Sequence, residues 1–91
     1  MLVHYKIIVQ GIVQGVSYRA STQLKAKELS LVGSVKNQND GSVIIFVQGD
    51  ENVVNQLIGW CRIGPVNARV ENMKLERQTE LGDYEGFMVL F

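Results

Sequence analysis

The feature that most limits how this chain can fold is a switch in the period of its apolar residues. Val3, Tyr5, Ile7, Val9 and Val13 share one parity, with His4, Lys6 and Gln10 on the other. Alternation with period two marks a strand over about residues 2–13 with one buried face. After a Gly-containing loop, residues 11–17, the period lengthens. Tyr18, Thr22, Ala26 and Leu29 recur at helical spacing, which predicts a helix over about residues 18–29 with that stripe inward. Residues 32–38 read as a second strand, and Asn39-Asp40-Gly41 supplies a turn whose residues tolerate positive φ. Residues 42–48 are apolar on both parities, as expected of a central strand.

Gly49-Asp50 then opens a second helix, with Asp50 as its N-cap. Val53, Val54, Leu57, Ile58 and Cys61 form one face of it, with Trp60 beside them, and Gly64-Pro65 ends it. Val66, Ala68 and Val70 alternate before the apolar parity slips to Met73 and Leu75, which suggests a bulge. Residues 87–91 form a short final strand. The order is β-α-β-β-α-β with an extra strand at the end. This predicts an α+β, ferredoxin-like sandwich: an antiparallel sheet with two helices on one face and a short extra C-terminal strand. At 91 residues the expectation is one domain, 1–91, since a chain this size buries only roughly 60–65% of its unfolded surface. The fold alone decides nothing about chemistry.

Composition removes several function classes. Nine Lys+Arg balance nine Asp+Glu, so a nucleic-acid partner held by bulk charge is not expected. Residues 1–45 nevertheless carry five basic and two acidic side chains, and residues 46–91 carry four and seven; an anion should favour the first half. The single Cys61 allows no internal disulfide. No apolar run approaches a membrane span, and Met1-Leu-Val-His-Tyr-Lys lacks a basic-then-apolar signal pattern. The expectation is a cytoplasmic protein.

The segment richest in chemistry is Gly11-Ile-Val-Gln-Gly-Val-Ser-Tyr-Arg19. A loop between a strand and a helix start can aim several N–H groups at one point, and such a point binds phosphate. No Gly-Lys-Ser/Thr follows, so it is not a Walker loop. A cation in the first helical turn is disfavoured by the helix dipole, and a bound anion would explain Arg19. An ordinary turn with a solvated arginine is the competing reading. Asn37, two residues before Asn39-Asp40-Gly41, reads on its own as a turn residue. His4 has no second ligand at metal spacing and reads as an exposed strand histidine. Cys61, Trp60 and the closing phenylalanines read as core.

Gly11-x-Val13-Gln14-Gly15-Val16-x-Tyr18-Arg19 resembles the acylphosphatase signature. Gly33-x-Val35-x-Asn37, Asp40-Gly41-x-Val43, Val47-Gln48-Gly49 and Trp60 ahead of Gly64-Pro65 and Ala68 match further along. The family often has an aromatic where Ser34 stands and a glycine where Ser30 stands. Ser30 would then hold a left-handed cap at a cost of about 1 kcal/mol.

The resemblance implies hydrolysis of acyl phosphates to a carboxylate and inorganic phosphate, with no metal and no cofactor. It implies phosphate binding by the backbone amides of Gln14, Gly15, Val16, Ser17 and Tyr18 together with Arg19, and water placed by Asn37, so that Arg19 and Asn37 are the catalytic residues. A carboxylate leaves unprotonated, and neither motif holds a His, Asp or Glu base. The expectation is that a phosphate oxygen of the substrate takes the water's proton, with little selectivity for the acyl group. The chain is expected to act as a monomer on a small acyl phosphate, with inorganic phosphate as product or inhibitor. The alternative is a non-enzymatic ferredoxin-like domain that binds a small ligand or a protein.

Overall fold

In the computed structural model, which describes residues 1–91, each change of apolar period becomes a change of element. The order is β1 (Leu2–Ile12), α1 (Tyr18–Glu28), β2 (Val32–Asn37), β3 (Val43–Asp50), α2 (Glu51–Cys61), β4 (Arg69–Arg77) and β5 (Phe87–Leu90). The strands lie in the spatial order β4-β1-β3-β2-β5. The first four pair antiparallel, while β5 joins β2 in parallel, so the sheet is mixed at that edge. With 11 residues each, neither helix is long and apolar enough to cross a membrane.

Odd-numbered positions of β1, β2 and β3 supply the core from the sheet: Val3, Ile7, Val9, Val35, Val43, Ile45 and Val47. Tyr18 and Ala26 of α1 and Val54, Leu57, Ile58 and Cys61 of α2 meet them in one hydrophobic cluster. Both helices therefore cover the same face, as the alternation requires. Asp50 caps α2 by accepting from the Asn52 amide at 3.1 Å, and Ser30 takes the left-handed conformation, φ 57°. The expected bulge is present: the β1–β4 register shifts between Gln10 and Gly11, leaving Glu71 unpaired.

Gly33 shows why one position in β2 admits no side chain. Its φ is 147°, and a Cβ there would overlap the Phe46 carbonyl oxygen. Burial of Cys61 raises its thiol pKa to about 12, so it is a small core group and not a nucleophile.

The expectations for His4 and Val66 need correction. His4 is not an exposed strand histidine; it is 8% exposed. Its Nδ1 donates to the Glu80 carbonyl at 2.8 Å, and its Nε2 shares a hydrogen bond with the Tyr84 hydroxyl at 2.6 Å. Gln48, its register partner on β3, exchanges two hydrogen bonds with the Gly82 backbone. Together they pin the β4–β5 connection against the sheet face away from the helices. Val66 likewise does not start β4, which begins at Arg69; it is 96% exposed in the turn after α2.

Candidate active site

The site forms where β1 hands over to α1. Gly15 (φ 74°) and Ser17 (φ 64°) both lie in the left-handed region. Nothing stands within 4 Å of a Cβ placed on Gly15, so its need for glycine is conformational and not a matter of space. The N–H groups of Gln14, Gly15, Val16 and Ser17 enter no backbone hydrogen bond, and the helix ladder opens with the Ser21 amide donating to the Ser17 carbonyl at 3.0 Å. The Ser17 side chain does not cap the helix. Unpaired amides thus run from the loop into the first turn, at the positive end of the α1 dipole. No acidic residue occupies that turn, so this anion-seeking end has no internal partner.

Arg19 is the second residue of α1, and its side chain lies along the end of β5. Its Nη1 donates to the Leu90 carbonyl at 3.0 Å, and its Cζ sits 4.8 Å from the Phe91 ring centroid. The carbonyl fixes one N–H and the ring fixes the plane, while the remaining donors of the guanidinium stay free. The ion pairs of the chain are Met1–Asp50 and Lys25–Glu28, so Arg19 keeps its charge unpaired. Phe91, expected in the core, is instead 94% exposed. The strand parity that sends Phe87 inward carries residue 91 beyond the sheet, where its ring meets Arg19.

Asn37 ends β2 on the same face as Val35, which directs it towards the loop and not out into solvent. Its Oδ1 is buried and has no hydrogen-bond partner. Such an atom is uncommon in folded proteins, because an unsatisfied buried acceptor costs about 1–3 kcal/mol. Ser34 points to the opposite sheet face, opposite Phe46 in register, so its departure from the aromatic pattern does not reach the site.

These elements enclose an open cavity of about 230 Å³, lined by Gly15, Ser17, Tyr18, Arg19 and Asn37, with Val13, Ala20, Val89 and Phe91 as its other walls. Of the residues expected at the site, Gln14 and Val16 do not line it. Val16 packs against the core, and the Gln14 amide turns to the β2–β3 hairpin, donating to Gln38 and Ser42 carbonyls. Sequence reasoning missed Val13, Ala20, Val89 and Phe91; Val89 lies in β5 and Phe91 just past its end, far along the chain from the loop, and no local pattern marks them.

A model of the acylphosphatase family matches residues 5–89. An acylphosphatase of Methylococcus capsulatus is 44% identical over 84 residues, covering 92% of this chain and 91% of that one. The chain belongs to the acylphosphatase family. An acylphosphatase of Geotalea uraniireducens is 40% identical over the full length of both chains. The crystal structure of acylphosphatase from Bacillus subtilis superposes with a TM-score of 0.94 at 33% identity, covering 100% of each chain. Membership in the acylphosphatase family makes the chain an enzyme, a hydrolase acting on acid anhydrides, and closes the non-enzymatic alternative.

Within this acylphosphatase fold Tyr18 has a structural task. Its hydroxyl donates to the Cys61 carbonyl at 2.6 Å and its ring meets Trp60 at 5.8 Å between centroids, tying the start of α1 to the end of α2. Burial pushes its phenol pKa far above the ordinary value, so it stays protonated. Tyr18→Phe should lower stability by about 1–2 kcal/mol in denaturant unfolding, while kcat changes by less than about threefold.

Proposed function

We propose that the chain hydrolyses a small acyl phosphate without a metal ion, binding the phosphoryl group through the Gln14–Tyr18 amides and Arg19 and placing water with Asn37. The observation that carries this reading is the meeting, in one cavity, of Gly15 and Ser17 with their unpaired amides, an unpaired guanidinium and an orphaned buried acceptor. The first two suit the equatorial oxygens of a phosphoryl group. The third suits a water, whose O–H would donate to Asn37 Oδ1 while its oxygen faces phosphorus.

Phosphoryl transfer asks a protein chiefly to position an in-line nucleophile and to stabilise charge on the transferring oxygens. Water's oxygen bonds to phosphorus, and the bond from phosphorus to the bridging oxygen breaks with its electron pair. The carboxylate leaves as an anion and needs no proton. The water's proton passes to a phosphoryl oxygen of the substrate, since no His, Asp or Glu lines the cavity. Asp40 is committed elsewhere: it accepts from the Ser42 amide at 2.9 Å and the Ser42 hydroxyl at 2.6 Å. Those bonds hold its pKa below the usual carboxylate value. Their support for the hairpin is therefore complete above the ordinary carboxylate pKa and fades only as pH falls through the lowered one. The site is complete within one chain, which supports action as a monomer.

Hydrolysis of benzoyl phosphate in EDTA tests the reading. Full activity is expected, and activity that disappears on chelation would contradict metal independence. Asp40→Ala and His4→Ala, if folded, should change kcat by less than about threefold. Loss of a true general base costs about 10²–10⁴-fold, and a loss of that size in either variant would overturn the substrate-assisted step.

A further inference from the structure

We infer that the Gln14 side chain is a positioning residue: it fixes the hairpin that carries Asn37 relative to the loop that grips phosphate. This rests on the roles just proposed for Arg19 and Asn37, and it concerns the side chain of Gln14, not its backbone amide.

The β1–β3 ladder ends at the pair Val9–Val43. Beyond it β1 follows β4 alone, through the bulge to Ile12, and the tip of the β2–β3 hairpin is no longer paired to it. Asn37, on β2, stands level with that last rung as the partner of Val43, while the loop that grips phosphate lies beyond it. Hydrogen bonds across this gap come from one atom, Gln14 Nε2. It donates to the Gln38 carbonyl at 2.8 Å and to the Ser42 carbonyl at 2.9 Å, using both N–H bonds of the amide.

The placement of those two carbonyls is what makes the contact specific. Gln38 directly follows Asn37, and Ser42 directly precedes Val43, the register partner of Asn37. The amide thus ties both strands at the point where Asn37 stands. The hairpin has its own closure, with the Gln38 amide donating to the Ser42 carbonyl at 2.8 Å and the Gly41 amide to the Gln38 carbonyl at 3.2 Å. Those bonds set its shape, and none of them reaches the loop. A glutamate at position 14 would offer no donor at neutral pH, and alanine would not reach.

Water placement is the part of the reaction most sensitive to that distance, because a displacement of about 1 Å can cost on the order of 100-fold. Phosphate binding should be far less sensitive, since the loop amides and Arg19 all belong to the Gln14 side of the gap. The expected signature is a split between kcat and phosphate affinity.

The test measures kcat for benzoyl phosphate and Kd for inorganic phosphate in wild type, Gln14→Ala, Asn37→Ala and the double variant. Gln14→Met repeats the set with similar bulk and no donor, in case the shorter side chain fails to fold. Gln14→Ala should lower kcat about 10–100-fold and keep the phosphate Kd within about threefold. In the Asn37→Ala background the same substitution should cost less than about threefold, because the residue it acts through is gone. Equal losses in both backgrounds, a loss that appears as weaker phosphate binding, or an unchanged kcat would each overturn the inference. An Asn37→Ala variant with unchanged kcat would instead sink the reading of Asn37 itself, so the two failures are distinguishable.

Discussion

Arg19→Ala should lower kcat/KM for benzoyl phosphate by about 10³-fold or more, a loss of about 4 kcal/mol of transition-state stabilisation. Arg19 carries the only guanidinium in the cavity lining, and no carboxylate neutralises it. Its remaining donors are free to meet two phosphoryl oxygens at once. The same substitution should remove the protection that inorganic phosphate gives against thermal unfolding, which for a ligand at 100 times its Kd is about 2.7 kcal/mol. Arg19→Lys should recover only a small part. Lysine keeps the charge but loses the paired planar bonds and the stacking over Phe91 that hold the wild-type group in place. Near-wild-type kcat/KM in Arg19→Ala would show that the loop amides suffice alone.

The second large effect is expected from Asn37→Ala, with a different signature. We expect kcat to fall by about 10²–10³-fold, the range for losing one preorganised polar group at a reacting centre. Phosphate affinity should stay within about threefold, because the proposed partner of Asn37 is the water and not the phosphoryl group. Stability should hold or rise. The variant removes a buried acceptor that has no partner in the folded chain, and with it a cost of about 1–3 kcal/mol. A higher Tm beside a lower kcat is the mark of a residue kept for function at the expense of stability. A fall in both would mean that Asn37 serves the hairpin turn, as its neighbours Asn39 and Asp40 do.

The fold was legible because its elements differ in apolar period, and in β1 and β2 parity predicts which face enters the core. Val35 and Asn37 share a face for that reason, so the inward direction of Asn37 follows from the pattern once β2 is placed. Asp50 as a cap follows from local backbone chemistry, and Ser30 in a left-handed turn follows from the glycine that the resemblance puts at that position. The parts not legible depend on contacts distant in sequence. His4 is buried by a segment 76 to 80 positions away, and its parity alone would leave it in solvent. Phe91 continues the inward parity of β5 yet stands outside, because the sheet ends before it. The Gln14 amide meets carbonyls 24 and 28 residues on, where nothing in its neighbours' pattern points. The residues themselves mark the loop, and the family resemblance marks Asn37; neither could show what holds them together.

If the loop holds the phosphorus end of the substrate, water attacks phosphorus and not the acyl carbon. Hydrolysis of benzoyl phosphate in ¹⁸O-labelled water, with EDTA present, measures this directly. The label should appear in inorganic phosphate, and benzoate should carry none. Label in benzoate would place the attack on the acyl carbon and contradict the roles proposed for Arg19 and Asn37.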